Sequence, residues 1–131
     1  MPRRERPLSP FLIYRFDYTM VLSFSHRVTG LLLAIGALVL AWCLVALACG
    51  PAHYARFMGI LDSWMFKLLL LGWLFSFFFH LANGIRHLAW DLGHGFEKSN
   101  ARMSGWIVLI TALVLTAGYV WMALGRHGGV P

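Results

Sequence analysis

The stretch FFFHLANGIRHLAWDLGHG, residues 77–95, spaces His80, His87 and His94 seven residues apart, the first within an apolar run. An imidazole can ligate a metal, carry a proton or hold a hydrogen bond. At about 1.5 Å and 100° per helical residue, His80 and His87 project nearly in line, about 10.5 Å apart along the axis. Two rings stacked this way on one helix face cannot approach a single iron from opposite sides at about 2 Å each. If His80 ligates a haem, the second ligand therefore comes from another helix. The alternative is a neutral imidazole bonded to a neighbouring carbonyl. Gly84, four residues on, shares the face of His80 and leaves room for a porphyrin edge. His87 and His94 sit near or beyond a membrane surface, where they suit hydrogen bonds to propionates, quinone-side waters or a soluble partner. For His94, His53 and His127, in loops or the tail, ordinary solvated residues are expected. Arg86 and Asp91 either pair near the helix end, or Asp91 is solvated or passes protons.

A second polar group lies in SFSHRVTG, residues 23–30. Ser23, His26, Arg27 and Gly30 follow i, i+3, i+4, i+7 spacing and share one helix face. The same face continues through Ala34, Ala37, Ala41 and Ala48. Small side chains let another helix or a flat ligand approach the backbone closely. Plain helix packing with a snorkelling Arg27 is one reading. The other is a ligand site, because a hydroxyl, an imidazole and a guanidinium on one membrane-facing surface are costly unless something polar meets them.

The elements that must carry these groups follow from composition. Of the 131 residues, 60% are hydrophobic, against about 45–50% in ordinary soluble domains. Val28–Ala55, Leu68–Ile85 and Met103–Gly125 contain no Asp, Glu, Lys or Arg, and a bilayer core needs roughly 20 helical residues. These runs predict an all-α membrane protein with three transmembrane helices, near residues 19–49, 63–92 and 101–125, in one anchor domain over 1–131. No room remains for a soluble domain. The net charge of +6 does not point to nucleic acid, since the cations cluster at span ends. Arg3, Arg4, Arg6, Arg15, Arg27, Arg86, Lys98 and Arg102 fall on one side, and Arg56, Lys67 and Arg126 on the other. This imbalance predicts a cytoplasmic N-terminus and a periplasmic C-terminus. Residues 1–18, rich in proline and aromatics, are expected to form an interfacial arm. The start does not read as a cleaved signal or a transit extension, which favours a bacterial chain. Cys43 and Cys49, six apart on one helix, point to different faces and are read as packing residues. Gly50-Pro51 is expected to end the first span, and Gly93 and Gly95 the second.

RPLSP near the start, TMVLSFSHRVTG and HLANGIRHLAWDLG resemble the cytochrome b-type (large) membrane-anchor subunit of succinate dehydrogenase, respiratory complex II. The likeness runs from Arg6 through Gly95, with the third span in place. That family commonly carries a histidine after the RPLSP proline, where this chain has Phe11. The resemblance implies a three-helix half of a six-helix heterodimeric anchor in the bacterial inner membrane. A second, small anchor subunit, an iron–sulfur subunit, a flavoprotein subunit and the lipid bilayer are the implied partners. Electrons from succinate would pass through iron–sulfur clusters to ubiquinone, linking the tricarboxylic acid cycle to electron transport. Haem b would be shared between the two anchors. His80 matches the axial ligand, and the smaller anchor would supply the opposite histidine. Ser23 and Arg27 match quinone-binding positions. His26 and Arg27 match positions near the haem propionates; Arg86 and His87 join them at the rim, with Asp91 a candidate proton path. The chain would be a subunit of succinate:quinone oxidoreductase without a succinate site of its own. The alternatives are an anchor of a fumarate-reducing complex, a haem-free structural tether, or a proton-conducting subunit. The last would need polar groups that Leu68–Phe75 lacks.

Overall fold

A computed structural model describes residues 18–95 and 97–127. The interfacial arm expected over 1–18, apart from Tyr18, and the RPLSP motif lie outside the described residues. Among the described residues every regular element is helical: α1 Tyr18–Ala48, α2 Pro51–Leu61, α3 Trp64–Asp91 and α4 Lys98–His127. Three helices, Met20–Ala48, Trp64–Asp91 and Ser99–Arg126, are long and apolar enough to cross a membrane. The shorter two, at 28 residues, reach roughly 42 Å, beyond a hydrocarbon core of about 30 Å.

Backbone chemistry sets the breaks. Gly50 adopts φ 104°, a region closed to most side chains, and Pro51 follows at the start of α2. Ser63 caps α3, its hydroxyl accepting from the Phe66 amide at 3.4 Å. At the other end, Gly93 has φ 84° and its amide donates to the Trp90 carbonyl at 2.8 Å, while His94 N–H donates to Ala89 O at 3.1 Å.

The helix α2 was not expected. Gly50-Pro51 reads as a stop, yet the same proline is pre-set for a first helical turn, so the chain restarts at once. Phe57 is 2% exposed and meets Trp42 of α1 edge-on, at 5.0 Å between centroids. His53 therefore lies on a helix rather than in a loop, and His127 closes α4. Exposed Asp62, just after α2, and exposed Lys67, in the first turn of α3, pair at 2.7 Å. The hydrogen bond from Lys67, and then its charge, hold the Asp62 carboxyl below the usual carboxylate value.

α3 runs antiparallel to both α1 and α4 and packs along each. Leu22, Phe79, Val108 and Ala112 form the buried core, flanked by Tyr18, Phe75, Phe78 and Ala82. Close approach depends on glycine at two places. A Cβ on Gly36 would lie 3.3 Å from Cε2 of Trp73, and one on Gly105 would strike Leu22 and lie 2.6 Å from Cε1 of Tyr18. The outer faces remain apolar and exposed, with Leu31, Leu38 and Val114 more than 60% accessible. Ala34, Ala37, Ala41 and Ala48 are exposed too, so the described residues leave the small-residue stripe uncovered. Within the spans, Ser76 donates to Gly72 O and Thr116 to Ala112 O, which satisfies both hydroxyls inside their own helices.

Gly105→Val should separate α4 from α1. The expected cost is about 1–3 kcal/mol, typical of overpacking, read as a lower thermal unfolding midpoint in detergent. Gly118→Ala, where an added methyl meets nothing within 4 Å, should not lower the midpoint.

Candidate functional site

The antiparallel arrangement brings the start of α1, the end of α3 and the start of α4 to one end of the bundle. There the histidines converge. His26 of α1 stacks on His80 of α3 with centroids 3.8 Å apart and planes 7° from parallel. On its other side His26 approaches His87 at 5.2 Å, tilted by 55°. One ring from α1 thus sits between two that α3 spaces by seven residues.

His80 is oriented by α1. Its Nδ1 lies 3.1 Å from the His26 carbonyl oxygen and 3.2 Å from Oγ1 of Thr29. A carbonyl can only accept, so Nδ1 carries the proton and Nε2 keeps its lone pair. The ring also needs Gly30, since a Cβ there would stand 3.0 Å from Cε1 of His80. Gly84 faces His26 rather than open space, with 3.8 Å from its would-be Cβ to Cε1 of His26. Nδ1 of His26 is buried and finds no hydrogen-bond partner among the described residues.

A second network fastens the same end to α4. Asn83 is 0% exposed. Its amide nitrogen donates to Leu22 O and lies near Nε2 of His87, both at 3.5 Å. Its carbonyl oxygen accepts from Nη1 of Arg86 at 3.3 Å. Arg86, 6% exposed, donates from Nε to Ser104 Oγ at 2.9 Å and from Nη2 to Ala101 O at 3.0 Å. Its guanidinium lies over Trp90, 3.9 Å from the ring centroid. The Arg86–Asp91 pairing considered from sequence is not made. Arg86 is turned inward onto neutral oxygens, whereas Asp91 is exposed. The ion pair among the described residues is Lys67–Asp62, at the opposite end.

The structure therefore brings His26, His80 and His87 together and leaves Ser23 half-buried and Arg27 exposed beside them on α1. His94 is exposed in the α3–α4 turn. Thr29, Asn83 and Ser104 escaped notice as working residues. For Thr29 a signal existed, a hydroxyl three residues after His26 within SHRVTG. Ser104 has no local motif to reveal it.

Such an arrangement can present one imidazole Nε2 to a metal or a proton, with a hydroxyl and a cation nearby. The rings of His26 and His80 lie face to face, so they cannot bind one iron from opposite sides. Similar proteins exist. A model of the succinate dehydrogenase/fumarate reductase transmembrane subunit family matches residues 2–119. A succinate dehydrogenase cytochrome b556 subunit of Rickettsia felis is 37% identical over 113 residues, covering 86% of this chain and 88% of that protein. The Paracoccus denitrificans cytochrome b556 subunit is 34% identical over 114 residues, again 86% and 88%. The mitochondrial cytochrome b560 subunit of Sus scrofa is 33% identical over 124 residues, covering 90% of this chain and 72% of its own length.

Removing the Arg86 guanidinium should weaken the clamp between α3 and α4. Arg86→Gln is expected to cost about 1.5–3 kcal/mol, the range for hydrogen bonds to a charged group, in detergent unfolding. A double-mutant cycle with Ser104→Ala should give a coupling of at least about 0.5 kcal/mol. Strict additivity would mean that the pair does not act as a unit.

Proposed function

Because this chain belongs to the succinate dehydrogenase/fumarate reductase transmembrane subunit family, we propose that it is the haem b-binding membrane anchor of a succinate dehydrogenase, passing electrons from succinate to ubiquinone. The observation that carries this reading is the orientation of His80, with Nδ1 bonded to the His26 carbonyl at 3.1 Å and Nε2 left to ligate. A hydrogen bond at the far ring nitrogen is what a metal-bound histidine ordinarily has. The cytochrome b names of its relatives support the cofactor, and their succinate dehydrogenase names support the direction of the reaction.

The residues present fit the group. His80 would be the axial ligand, and the bare backbone of Gly30 gives its ring room. The opposite ligand would come from a second, smaller anchor subunit, since His87 is on the same helix face and His26 is stacked face to face. The exposed alanine stripe on α1 and the uncovered apolar faces support a six-helix assembly of two such subunits. His26, whose buried Nδ1 has no partner among the described residues, and Arg27 would meet the haem propionates at the rim. His87, held near Asn83, and Arg86 would support that rim. When bound, haem b supplies a one-electron carrier between the iron–sulfur clusters and the quinone pocket.

For ubiquinone, the Ser23 hydroxyl would donate to a carbonyl oxygen. Arg27 would stabilise the negative charge that develops there during reduction. Exposed Asp91 would exchange protons with water at the same rim. The chain would dock an iron–sulfur subunit and a flavoprotein that hold the succinate chemistry. The count of basic residues supports a cytoplasmic N-terminus and a periplasmic C-terminus in a bacterial inner membrane.

In the purified complex, His80→Ala should lose the haem b bands of the reduced-minus-oxidised spectrum. An unchanged spectrum would sink the ligand assignment. Arg27→Ala should slow quinone reduction by about tenfold or more, the worth of a charge-assisted hydrogen bond, and Ser23→Ala by less. Succinate-driven reduction of a soluble dye by the catalytic subunits should be spared in both. Equal loss of the two activities would indicate failed assembly instead.

A further inference from the structure

We infer that Thr29 is a positioning residue for the axial ligand: its hydroxyl and the His26 carbonyl together hold the Nδ1–H of His80, fixing the ring's orientation and the donor strength of Nε2. The inference rests on the assignment of His80 as haem ligand and adds to it a residue on the neighbouring helix.

Thr29 is buried, at 8% exposure. Its Oγ1 lies 2.9 Å from Ser25 O and 2.9 Å from His26 O. A hydroxyl has one hydrogen and two lone pairs. With the hydrogen committed to a backbone carbonyl, what faces Nδ1 of His80 at 3.2 Å is a lone pair. The ring N–H is therefore shared between two acceptors on α1, the Thr29 hydroxyl and the His26 carbonyl. A single acceptor would tolerate a swing of the imidazole about its bond to Cβ. Two acceptors, with the His26 ring stacked at 3.8 Å and Gly30 close to Cε1, hold it at one angle.

Threonine suits this task better than serine or valine. Its branched Cβ restricts χ1 in a helix, and the back-bond to the carbonyls removes what freedom remains. Valine has the shape without the acceptor, and serine the acceptor without the methyl. An acceptor at the distal nitrogen makes the imidazole a stronger donor, which favours ferric over ferrous iron. Losing one of two acceptors should thus raise the haem potential while leaving the haem bound.

The test is redox potentiometry and low-temperature electron paramagnetic resonance of the purified complex carrying Thr29→Val, Thr29→Ala or Thr29→Ser. Expected are full haem content in all three, a higher midpoint potential and a displaced low-spin ferric signal in the Val and Ala variants, and near-wild-type values in Ser. If Val does not assemble, Ala against Ser gives the same comparison. Identical potentials and ferric signals in Ala and Ser would overturn the role of Thr29 and leave the His80 assignment standing. A His80→Ala complex that retains its haem spectrum would instead overturn the assignment beneath it.

Discussion

A polar group within hydrocarbon has no water to turn to and must find its partner on the same or a neighbouring helix. The imidazole of His80 meets this demand across helices, on the His26 carbonyl and the Thr29 hydroxyl of α1. The helical carbonyl of His26 can do so because its oxygen has a second lone pair beyond the one used along its own helix. Asn83 and Arg86 meet the same demand on Leu22 O, Ser104 and Ala101 O. These bonds set how α1, α3 and α4 align at the polar end. Further along, alignment rests on shape alone, as where Trp73 lies on the bare backbone of Gly36.

Three apolar helices were legible in the sequence because charge-free runs of sufficient length have few other uses. The short α2 was not, since Gly50-Pro51 can end one helix and begin another with equal ease. Helix periodicity also put Ser23, His26, Arg27, Gly30 and four alanines on one face without saying what that face meets. In the fold, the inward side is the adjacent one, through Leu22, His26 and Thr29, while Arg27 and the alanines are exposed. Two neighbouring faces that share His26 look equally good from spacing, and only interhelical packing chooses between them.

The same limit explains Arg86. Local spacing suggests Asp91, a helical turn and a half away. The guanidinium instead uses α4, eighteen residues along the chain at Ser104. A buried cation satisfied by hydroxyl and carbonyl oxygens avoids drawing a carboxylate out of water, where each added ion would bring its own desolvation penalty. His80 was more tractable, because the distance to His87 along one helix is fixed by geometry and excludes a shared iron whatever the neighbours are.

The clustered histidines, Asn83 and Arg86 lie at one end of the bundle, and the Asp62–Lys67 pair at the other. From Leu31 to Ala41 on α1 and from Leu68 to Phe75 on α3 no side chain can exchange a proton, and on α4 the hydroxyl of Thr116 is closed onto its own helix. Along these stretches the described side chains of α1 and α3 offer a proton no stepping stones away from the histidine end.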